Sequence, residues 1–369
     1  MRIGERWEDA IHVKPDFFKT FWSQRLEQKR DVLLIMGVGW DPRMTALART
    51  IKAMGGQGLR SVHLIAYRPS PSFVSPQKHM VEKNLVALEQ IIGGWATKET
   101  IEVITRKEGG LYVGDEVVAE HYLKCDLSGF TDIIVDVSAL PKSLYFTLLL
   151  VLAKRAGGEH KDINVHAVAC QDVELDAGIV ESAEDVRLLK GFRGRLTRLS
   201  QSDIPRIWAV ILERNYSMSL TKLHGIVGPT DIYPILPFPA RNPRGDDDIL
   251  IEYESIFVNE WNLNPMNFIY AVEEEPLDVY RSIVSLYQWQ KDALEPLGDM
   301  SMVVSALSSK LSSIGAFMAA FEGNMAVAHA IGRHNPPAYL DLSFWDNGKM
   351  RSFEDSLHSV WLTGEPYES

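Results

Sequence analysis

The chain contains the same α/β pattern twice, and this internal repeat restricts its possible folds more than any other feature. Residues 136–142 (DVSALPK) end a hydrophobic segment in the first half, and residues 303–310 (VVSALSSK) end another in the second half. Four further hydrophobic segments recur in the same order at similar separations: Leu33 with Trp208, Val62 with Ile232, Ile101 with Phe268, and Val165 with Ala326. Five matched segments predict two copies of one folding unit.

Each copy alternates hydrophobic strands with helices. Strands are predicted at 32–36, 62–67, 101–105, 133–137 and 165–169 in the first copy, and at 208–212, 232–236, 268–272, 302–304 and 326–330 in the second. Strands that are hydrophobic on both faces and separated by helices are typical of a parallel sheet covered on both sides. The sequence therefore predicts an α/β fold, a tandem duplication of a Rossmann-like doubly wound parallel-sheet unit.

The repeats suggest a division of the chain into five segments. Residues 1–30 form a helical leader in which Pro15 begins an amphipathic helix, and residues 31–171 form the first Rossmann-like repeat. Residues 172–205 are a charged connector that is predicted to be partly helical. Residues 206–333 form the second repeat, and residues 334–369, which have no counterpart in the first repeat, are predicted to be a capping tail of short strands or loops.

Composition excludes several classes of function. The 369 residues carry a net charge of −11, which disfavours nonspecific binding to nucleic acid or to anionic membranes. Two cysteines provide no disulfide framework, as expected of a protein in a reducing compartment. No targeting segment is visible, and the longest hydrophobic run is too short to cross a bilayer. We therefore expect a cytoplasmic protein that does not interact with membranes.

A glycine-containing loop follows the first predicted strand. Gly37 and Gly39 lie in the sequence GVGWDPR, which also contains Asp41 and Arg43. Glycines allow the backbone to approach a ligand, and a guanidinium at this edge of a sheet commonly pairs with phosphate or carboxylate. The third glycine of the dinucleotide-binding fingerprint is missing, which disfavours a standard NAD site. Asp41 is equally well interpreted as the cap of the helix that follows it.

A hydroxyl and a lysine follow the fourth predicted strand in both copies. Ser138 and Lys142 occupy these positions in the first copy, and Ser305, Ser309 and Lys310 occupy them in the second. Together with the free amides of the next helix, these groups are predicted to cradle an anion. The alternative is that each serine caps a helix and each lysine is solvated. We expect neither lysine to lie in the core.

The first of these loops resembles a loop of CARF domains. Asp136, Ser138, Lys142 and Leu144 match the spacing of the family's Asn/Asp-x-Thr-x-Gly-x-Lys-x-Met loop, with Leu140 in place of its glycine. The second copy has an extra residue before its lysine. CARF domains are Rossmann-like sensors that bind cyclic oligonucleotides in bacterial and archaeal antiviral systems. The resemblance therefore implies a phosphate-binding role for this loop.

Acidic residues suggest a second kind of chemistry. Glu273 and Glu274 follow the third strand of the second copy, and Arg244 lies in a proline-rich loop that we expect at the same edge. Glutamate clusters can hold magnesium beside a phosphate, but a solvated turn is an equally simple interpretation. The ten histidines show no zinc-type spacing, so no metal centre is predicted, and no cofactor can be named.

These features favour a binding protein. We expect a nucleotide or another phosphorylated small molecule at the carboxyl edges of the two sheets, in a sensor or regulatory subunit that signals to a protein partner. The alternative is an enzyme acting on a nucleotide or phosphosugar, with Asp41, Glu273 or Glu274 as an acid–base group or magnesium ligand. A scaffold that has kept its clefts but binds nothing is a third possibility.

Overall fold

The chain forms two compact units with interleaved sequences. A computed structural model describes residues 3–107, 110–158, 163–172, 175–176, 179–193, 204–335 and 352–367. The N-terminal unit comprises residues 10–178 and 336–369, and the C-terminal unit comprises residues 1–9 and 179–335. The N-terminal unit therefore includes the C-terminal end of the chain, and the C-terminal unit includes its first nine residues.

A seven-stranded sheet forms the centre of the N-terminal unit. Its strands, numbered along the whole chain, are β1 (His12–Val13), β2 (Val32–Val38), β3 (Arg60–Arg68), β4 (Thr97–Ile104), β5 (Asp132–Asp136), β6 (Asn164–Cys170) and β13 (Leu357–Thr363). The helices are α1 (Pro15–Glu27), α2 (Ala46–Met54), α3 (Lys78–Ile92), α4 (Gly114–Lys124) and α5 (Lys142–Ala156). The strand order is β1-β13-β6-β5-β2-β3-β4. The strands from β6 to β4 are parallel, whereas β13 is antiparallel to β6 and β1 is antiparallel to β13.

The C-terminal unit contains a six-stranded sheet. Its strands are β7 (Val180–Arg193), β8 (Arg206–Leu212), β9 (Asp231–Pro237), β10 (Ile269–Ala271), β11 (Ser301–Leu307) and β12 (Ala326–Asn335). The helices are α6 (Ser217–Val227), α7 (Gly245–Glu254), α8 (Pro276–Leu294) and α9 (Lys310–Glu322). The strand order is β10-β9-β8-β11-β12-β7, in which only β7 is antiparallel to its neighbour.

The two sheets share one strand order, as the repeat in the sequence predicts. In both, the first parallel strand of the copy lies at the centre, the second and third lie to one side, and the fourth and fifth lie to the other. All ten predicted strands are present, with boundaries that differ by a few residues. The fold is therefore a duplicated Rossmann-like α/β unit. Both sheets are mixed rather than purely parallel, because antiparallel strands extend them at the edge.

The additional strands come from the segments predicted to be connector and tail. The connector supplies β7, a long strand where partial helix was expected, and the tail supplies β13. Each lies beside the fifth parallel strand of a sheet. However, β7 follows β6 in the sequence and pairs with β12, whereas β13 follows β12 and pairs with β6. Residues 173–174, 177–178 and 194–203 of the connector, and 336–351 and 368–369 of the tail, lie outside the described residues.

Helix α1 is the amphipathic helix predicted in the leader, and its buried face packs in the core beside β2 and β3. Pro15 stands at its first position, where the missing amide hydrogen is not needed. Phe18, Trp22 and Leu26 are buried at helical spacing, while Phe17 is 67% exposed. In the described parts of the chain, no helix combines the length and the hydrophobicity needed to cross a bilayer.

Candidate functional site

The carboxyl edge of the first sheet is where its strand order reverses. Strand β2 lies between β3 and β5, so the loops after β2 and β5 end side by side, as at ligand-binding crevices of open α/β sheets. A Cβ atom added to Gly37 would lie 2.8 Å from the Ala139 carbonyl oxygen. At Gly39 the nearest atom would be the Tyr67 hydroxyl oxygen, at 3.4 Å. Gly37 therefore admits the neighbouring loop of the protein itself, while Gly39 has more room.

Asp41 and Arg43 form a buried ion pair at this edge. The Arg43 amide donates a 2.9 Å hydrogen bond to Asp41 Oδ1, which caps the short 3-10 helix Pro42–Thr45. Arg43 Nε and Nη2 also donate to the Asp41 carboxylate, at 3.0 and 2.7 Å. The structure therefore supports the capping interpretation of Asp41, and it gives the carboxylate a guanidinium partner as well.

A second carboxylate completes the surroundings of Arg43. Its Nη1 donates to Asp176 Oδ1 at 2.7 Å and to the Cys170 carbonyl oxygen at 3.3 Å. The side chain is only 1% exposed. Burial alone would lower the pKa of Arg43, but the charges of Asp176 and Asp41 raise it well above its usual value. Arg43 thus links the segment after β6 to the loop after β2. Its guanidinium, which was expected to bind a ligand anion, is already paired with two carboxylates of the protein.

Ser138 connects the ends of two strands. Its amide donates to Asp136 Oδ1 at 2.9 Å, and its hydroxyl oxygen accepts a 2.9 Å hydrogen bond from the Cys170 amide. Asp136 is 2% exposed, and its Oδ2 has no hydrogen-bond partner among the described residues. Burial raises the pKa of Asp136 to about 6, against the opposing hydrogen bonds from Ser138. Asp136 belongs to the loop that resembles the CARF motif, but its sequence position did not indicate that its pKa would be raised.

Lys142 begins helix α5 and is only 6% exposed. The expectation that this lysine lies outside the core is therefore wrong. The first turn of α5 is covered by the loop before α4, because the Tyr112 hydroxyl is hydrogen-bonded to the Ser143 hydroxyl at 2.7 Å. An ammonium group in this setting exerts a stronger field than a solvated one, since less water screens it.

In the C-terminal unit, the Ser305 side chain forms its hydrogen bonds inside the sheet rather than at the carboxyl edge. Its side chain is fully buried. The Ser305 hydroxyl accepts a 2.9 Å hydrogen bond from Trp208 Nε1 and donates a 2.8 Å hydrogen bond to the Ala328 carbonyl oxygen. Both of its hydrogen-bonding roles are used within the protein, so the structure assigns Ser305 to packing between β8, β11 and β12.

A carboxylate of the protein lies at the start of α9, where an anion was predicted. The Ser309 amide donates to Glu213 Oε1 at 2.6 Å, and the Ser309 hydroxyl oxygen caps the helix by accepting from the Ser312 amide at 3.2 Å. Lys310 is half-buried at the first position of α9. Beside them lies a cavity of about 10 Å³, room for about one water molecule, lined by Glu213 and Glu273 among others. Glu213 therefore lies where an anion was predicted to bind.

The remaining candidates lie near the same edge. Arg244 is exposed before α7, and its amide donates to Asn242 Oδ1 at 3.1 Å. Glu273 Oε2 accepts a 2.6 Å hydrogen bond from the Arg241 amide, and Glu274 forms an ion pair with the Arg241 guanidinium. The two glutamates therefore hold the proline-rich loop in place through Arg241 rather than through Arg244.

Comparison with known proteins gives no family assignment. No family model matches the chain, and no curated protein does. Among solved structures, a universal stress protein from Archaeoglobus fulgidus DSM 4304 aligns with 10% identity over 81% of this chain and 96% of its own, with a TM-score of 0.22. An uncharacterized protein from Mycobacterium paratuberculosis aligns with 9% identity over 85% of this chain and 87% of its own, at 0.25. A mutant of GsuK aligns with 12% identity over 84% of this chain and 74% of its own, at 0.20. These scores are too low to support an inference, so the fold assignment rests on strand order and register.

Proposed function

We propose that the N-terminal unit binds a nucleotide or another phosphorylated small molecule at its carboxyl edge, between the loops after β2 and β5. The observation that carries this proposal is the group of buried ionisable side chains at that edge: Asp41, Arg43, Asp136 and Lys142. Burying charged groups costs free energy, and such groups with altered pKa values are concentrated at functional sites. The position is also the one where open α/β sheets bind their ligands.

In this proposal, Lys142 and the first amides of α5 hold the ligand anion, and Gly39 allows the backbone of the facing loop to approach it. Arg43 acts as a positioning residue, because Asp41 and Asp176 already accept its hydrogen bonds. Asp136 adds a carboxyl group whose pKa of about 6 lies near neutrality. The ligand would therefore meet a mixed polar surface rather than a purely basic one.

We confine anion binding to the N-terminal unit, although the sequence predicts it in both. Glu213 occupies the start of α9, and Glu213 and Glu273 both line the small cavity at the second edge. The Glu213 carboxylate already accepts the hydrogen bond of the Ser309 amide that a phosphate would use, and its charge repels a phosphate at that position. The two copies of the fold therefore have different roles in this proposal, and Lys310 serves as the natural control for Lys142.

We propose a sensor or regulatory role rather than catalysis by Asp41, Glu273 or Glu274, because contacts within the protein engage all three carboxylates. Asp41, a candidate acid–base group, is held by Arg43 through both carboxylate oxygens. Glu273 and Glu274 are engaged by Arg241. A general base must be able to accept a proton from the substrate, and these three carboxylates are used for structure instead. We accordingly propose that ligand binding is signalled to a protein partner in the cytoplasm.

The test is a ligand screen followed by calorimetry. Nucleotides, cyclic nucleotides and sugar phosphates that bind the folded protein should raise its melting temperature. For a confirmed ligand, Lys142→Met should weaken binding by about 1.5–3 kcal/mol, the range for a hydrogen bond to a charged group. Methionine retains most of the side-chain volume, which is needed because Lys142 is buried.

Lys310→Met is the matched control, and it should bind the same ligand as the wild type does. Circular dichroism checks that both variants are folded. If no compound of the three classes stabilises the protein, or if Lys142→Met and Lys310→Met both bind with wild-type affinity, this proposal is wrong.

A further inference from the structure

His63, His121 and Cys125 meet on one face of the N-terminal unit. His63 lies on β3, His121 lies in the last turn of α4, and Cys125 is the C-cap residue of that helix. One ligand atom from each of the three lies within 4.8 Å of the others. The spacing of the ten histidines in the sequence does not reveal this group. His63 lies on a strand and the other two residues lie at the end of a helix, and only the fold brings these elements together.

The spacing of these three side chains suits a tetrahedral metal ion. His121 and Cys125 are four residues apart, so they project from the same side of the helix end. Zinc binds imidazole nitrogen and thiolate sulfur at about 2.0–2.3 Å, which places its ligand atoms about 3.3–3.8 Å apart. Small side-chain rotations would bring the three atoms from their present separations to these distances.

Neighbouring residues orient the His63 imidazole, and a nitrogen of His121 is left available. The Tyr122 hydroxyl is 3.4 Å from His63 Nδ1, which leaves Nε2 directed toward Glu99 Oε2 at 3.5 Å. His63 and Glu99 are paired in the register of β3 and β4, so their side chains lie on the same face of the sheet. His121 Nε2 is buried and has no hydrogen-bond partner within the described part of the chain. A metal ion would satisfy this nitrogen.

The Arg155 side chain holds the C-terminal end of helix α4 in place. Arg155 Nη1 donates hydrogen bonds to the carbonyl oxygens of Tyr122 and Cys125, at 2.8 and 2.6 Å. These bonds hold the helix end that carries His121 and Cys125. Preorganised supporting contacts of this kind are typical of metal sites, whose outer residues orient the ligands.

An acidic groove connects the cluster with solvent. The groove has a volume of about 530 Å³, and its lining includes His121, Cys125 and the carboxylates of Glu99, Glu120 and Asp126. Its cationic residue, Lys124, is paired with Glu120 at 2.7 Å. Carboxylates thus outnumber cations along the path to the cluster, which favours the entry of a cation.

We propose that His63, His121 and Cys125 bind a zinc ion, with Glu99 as the fourth ligand. Two imidazoles, one thiolate and one carboxylate form a donor set that zinc prefers over magnesium or calcium. The Tyr122 hydroxyl lies against His63 Nδ1, which leaves Nε2 of that ring to coordinate the ion. Cys125 would bind zinc as the thiolate, so zinc binding releases a proton and should weaken as the pH falls.

The experiment uses the full chain, stripped of metal with a chelator and then titrated with Zn²⁺ or Co²⁺. The wild type should bind one zinc ion per chain, measured by elemental analysis and by competition with a chromophoric chelator. Its Co²⁺ form should show the intense visible bands of a tetrahedral site and a near-ultraviolet thiolate-to-cobalt band. Cys125→Ser should abolish that near-ultraviolet band and weaken zinc binding about 100-fold or more, and His121→Gln should weaken binding similarly.

Two matched variants control for general effects of the substitutions. Cys170→Ser changes the other cysteine, and His79→Gln changes an exposed histidine of the same unit; both should bind zinc as the wild type does. Glu99→Gln alters an exposed ligand, so it should fold normally, keep the thiolate band and lose about 10-fold in affinity.

Failure of the wild-type chain to bind stoichiometric zinc would overturn the proposal. So would an unchanged thiolate band in Cys125→Ser. Wild-type affinity in Glu99→Gln would remove Glu99 from the ligand set, and this result does not depend on how the buried variants fold. None of these outcomes bears on phosphate binding at the carboxyl edge, which is measured with different ligands and at different residues.

Discussion

At the residue scale, the Asp136 carboxyl makes the N-terminal unit sensitive to pH. Its pKa is raised by burial to about 6, above the value of about 3.9 expected in an unfolded chain. The folded state binds this proton more tightly than the unfolded state does, so the contribution of Asp136 to stability is greatest below about pH 4 and is lost as the pH rises through about 6. The resulting loss at neutral pH is about 3 kcal/mol.

We expect Asp136→Asn to remove this loss. The asparagine side chain retains an oxygen that can accept the hydrogen bond from the Ser138 amide, and it has no charge to desolvate. The variant should be more stable than the wild type by about 1–3 kcal/mol at pH 8, and this difference should vanish near pH 4. Urea unfolding monitored by circular dichroism over this pH range measures the change. Asp231→Asn, at an exposed position, is the control, and a difference that does not vary with pH would contradict the prediction.

Residue roles at both edges could be predicted only in part. The sequence predicts that the loops after β2 and β5 share one edge, and Ser138 and Lys142 are found there. The partners were not predictable: Asp176 reaches Arg43 across 133 residues, and Glu213 reaches Ser309 across 96. A pattern identifies a charge and its position in a strand, but it does not show which distant side chain neutralises that charge.

At the scale of elements, the contact between the loops after β2 and β5 depends on Gly37. An alanine there would place a methyl group 2.8 Å from the Ala139 carbonyl oxygen, so backbone would have to move. Gly37→Ala should therefore destabilise the N-terminal unit by about 1–3 kcal/mol, the cost typical of overpacking. Thermal unfolding of the purified variant measures this loss.

Gly39→Ala is the matched control, because its methyl group would come no closer than 3.4 Å to another atom. Its stability should stay within about 0.5 kcal/mol of the wild type. Equal destabilisation by the two substitutions would show that flexibility of the loop, rather than the Ala139 contact, requires the glycines.

The parallel strands were predictable as elements, whereas the antiparallel ones were not. Continuous hydrophobic runs such as Val32–Val38 mark strands that are buried on both faces. Strand β7 carries many charges, including Glu184, Asp185 and Arg187, and for that reason its sequence indicates a connector. A strand at the edge of a sheet needs few hydrophobic residues, so its pattern resembles that of an exposed linker.

At the scale of the whole molecule, the sheet of the N-terminal unit is interrupted in the sequence: its strand β13 follows all six strands of the other sheet. A fragment of residues 10–178 lacks β13, whose seven residues are all buried in the native sheet. Without β13, the outer edge of β6 has no partner and exposes backbone groups that promote aggregation. We expect this fragment to be insoluble or aggregated by size-exclusion chromatography.

Co-expression with residues 179–369 should restore soluble material, because that fragment carries β13. Co-expression with residues 179–335, which end before it, should not. A fragment of residues 10–178 that is monomeric and has native-like circular dichroism would contradict the role assigned to β13.

The position of β13 also has a consequence for how this gene can evolve. Strand β13 follows the second copy of the repeat but completes the sheet of the first copy. Two separate proteins, one of which gave its last strand to the other in this way, would depend on each other as strand-swapped partners do. Within one chain, recombination that moved the second copy and its C-terminal tail to another gene would carry away an inner strand of the sheet left behind. The second copy has all six strands of its sheet in one stretch of sequence, whereas the first copy is complete only while the tail of the second stays in the same gene.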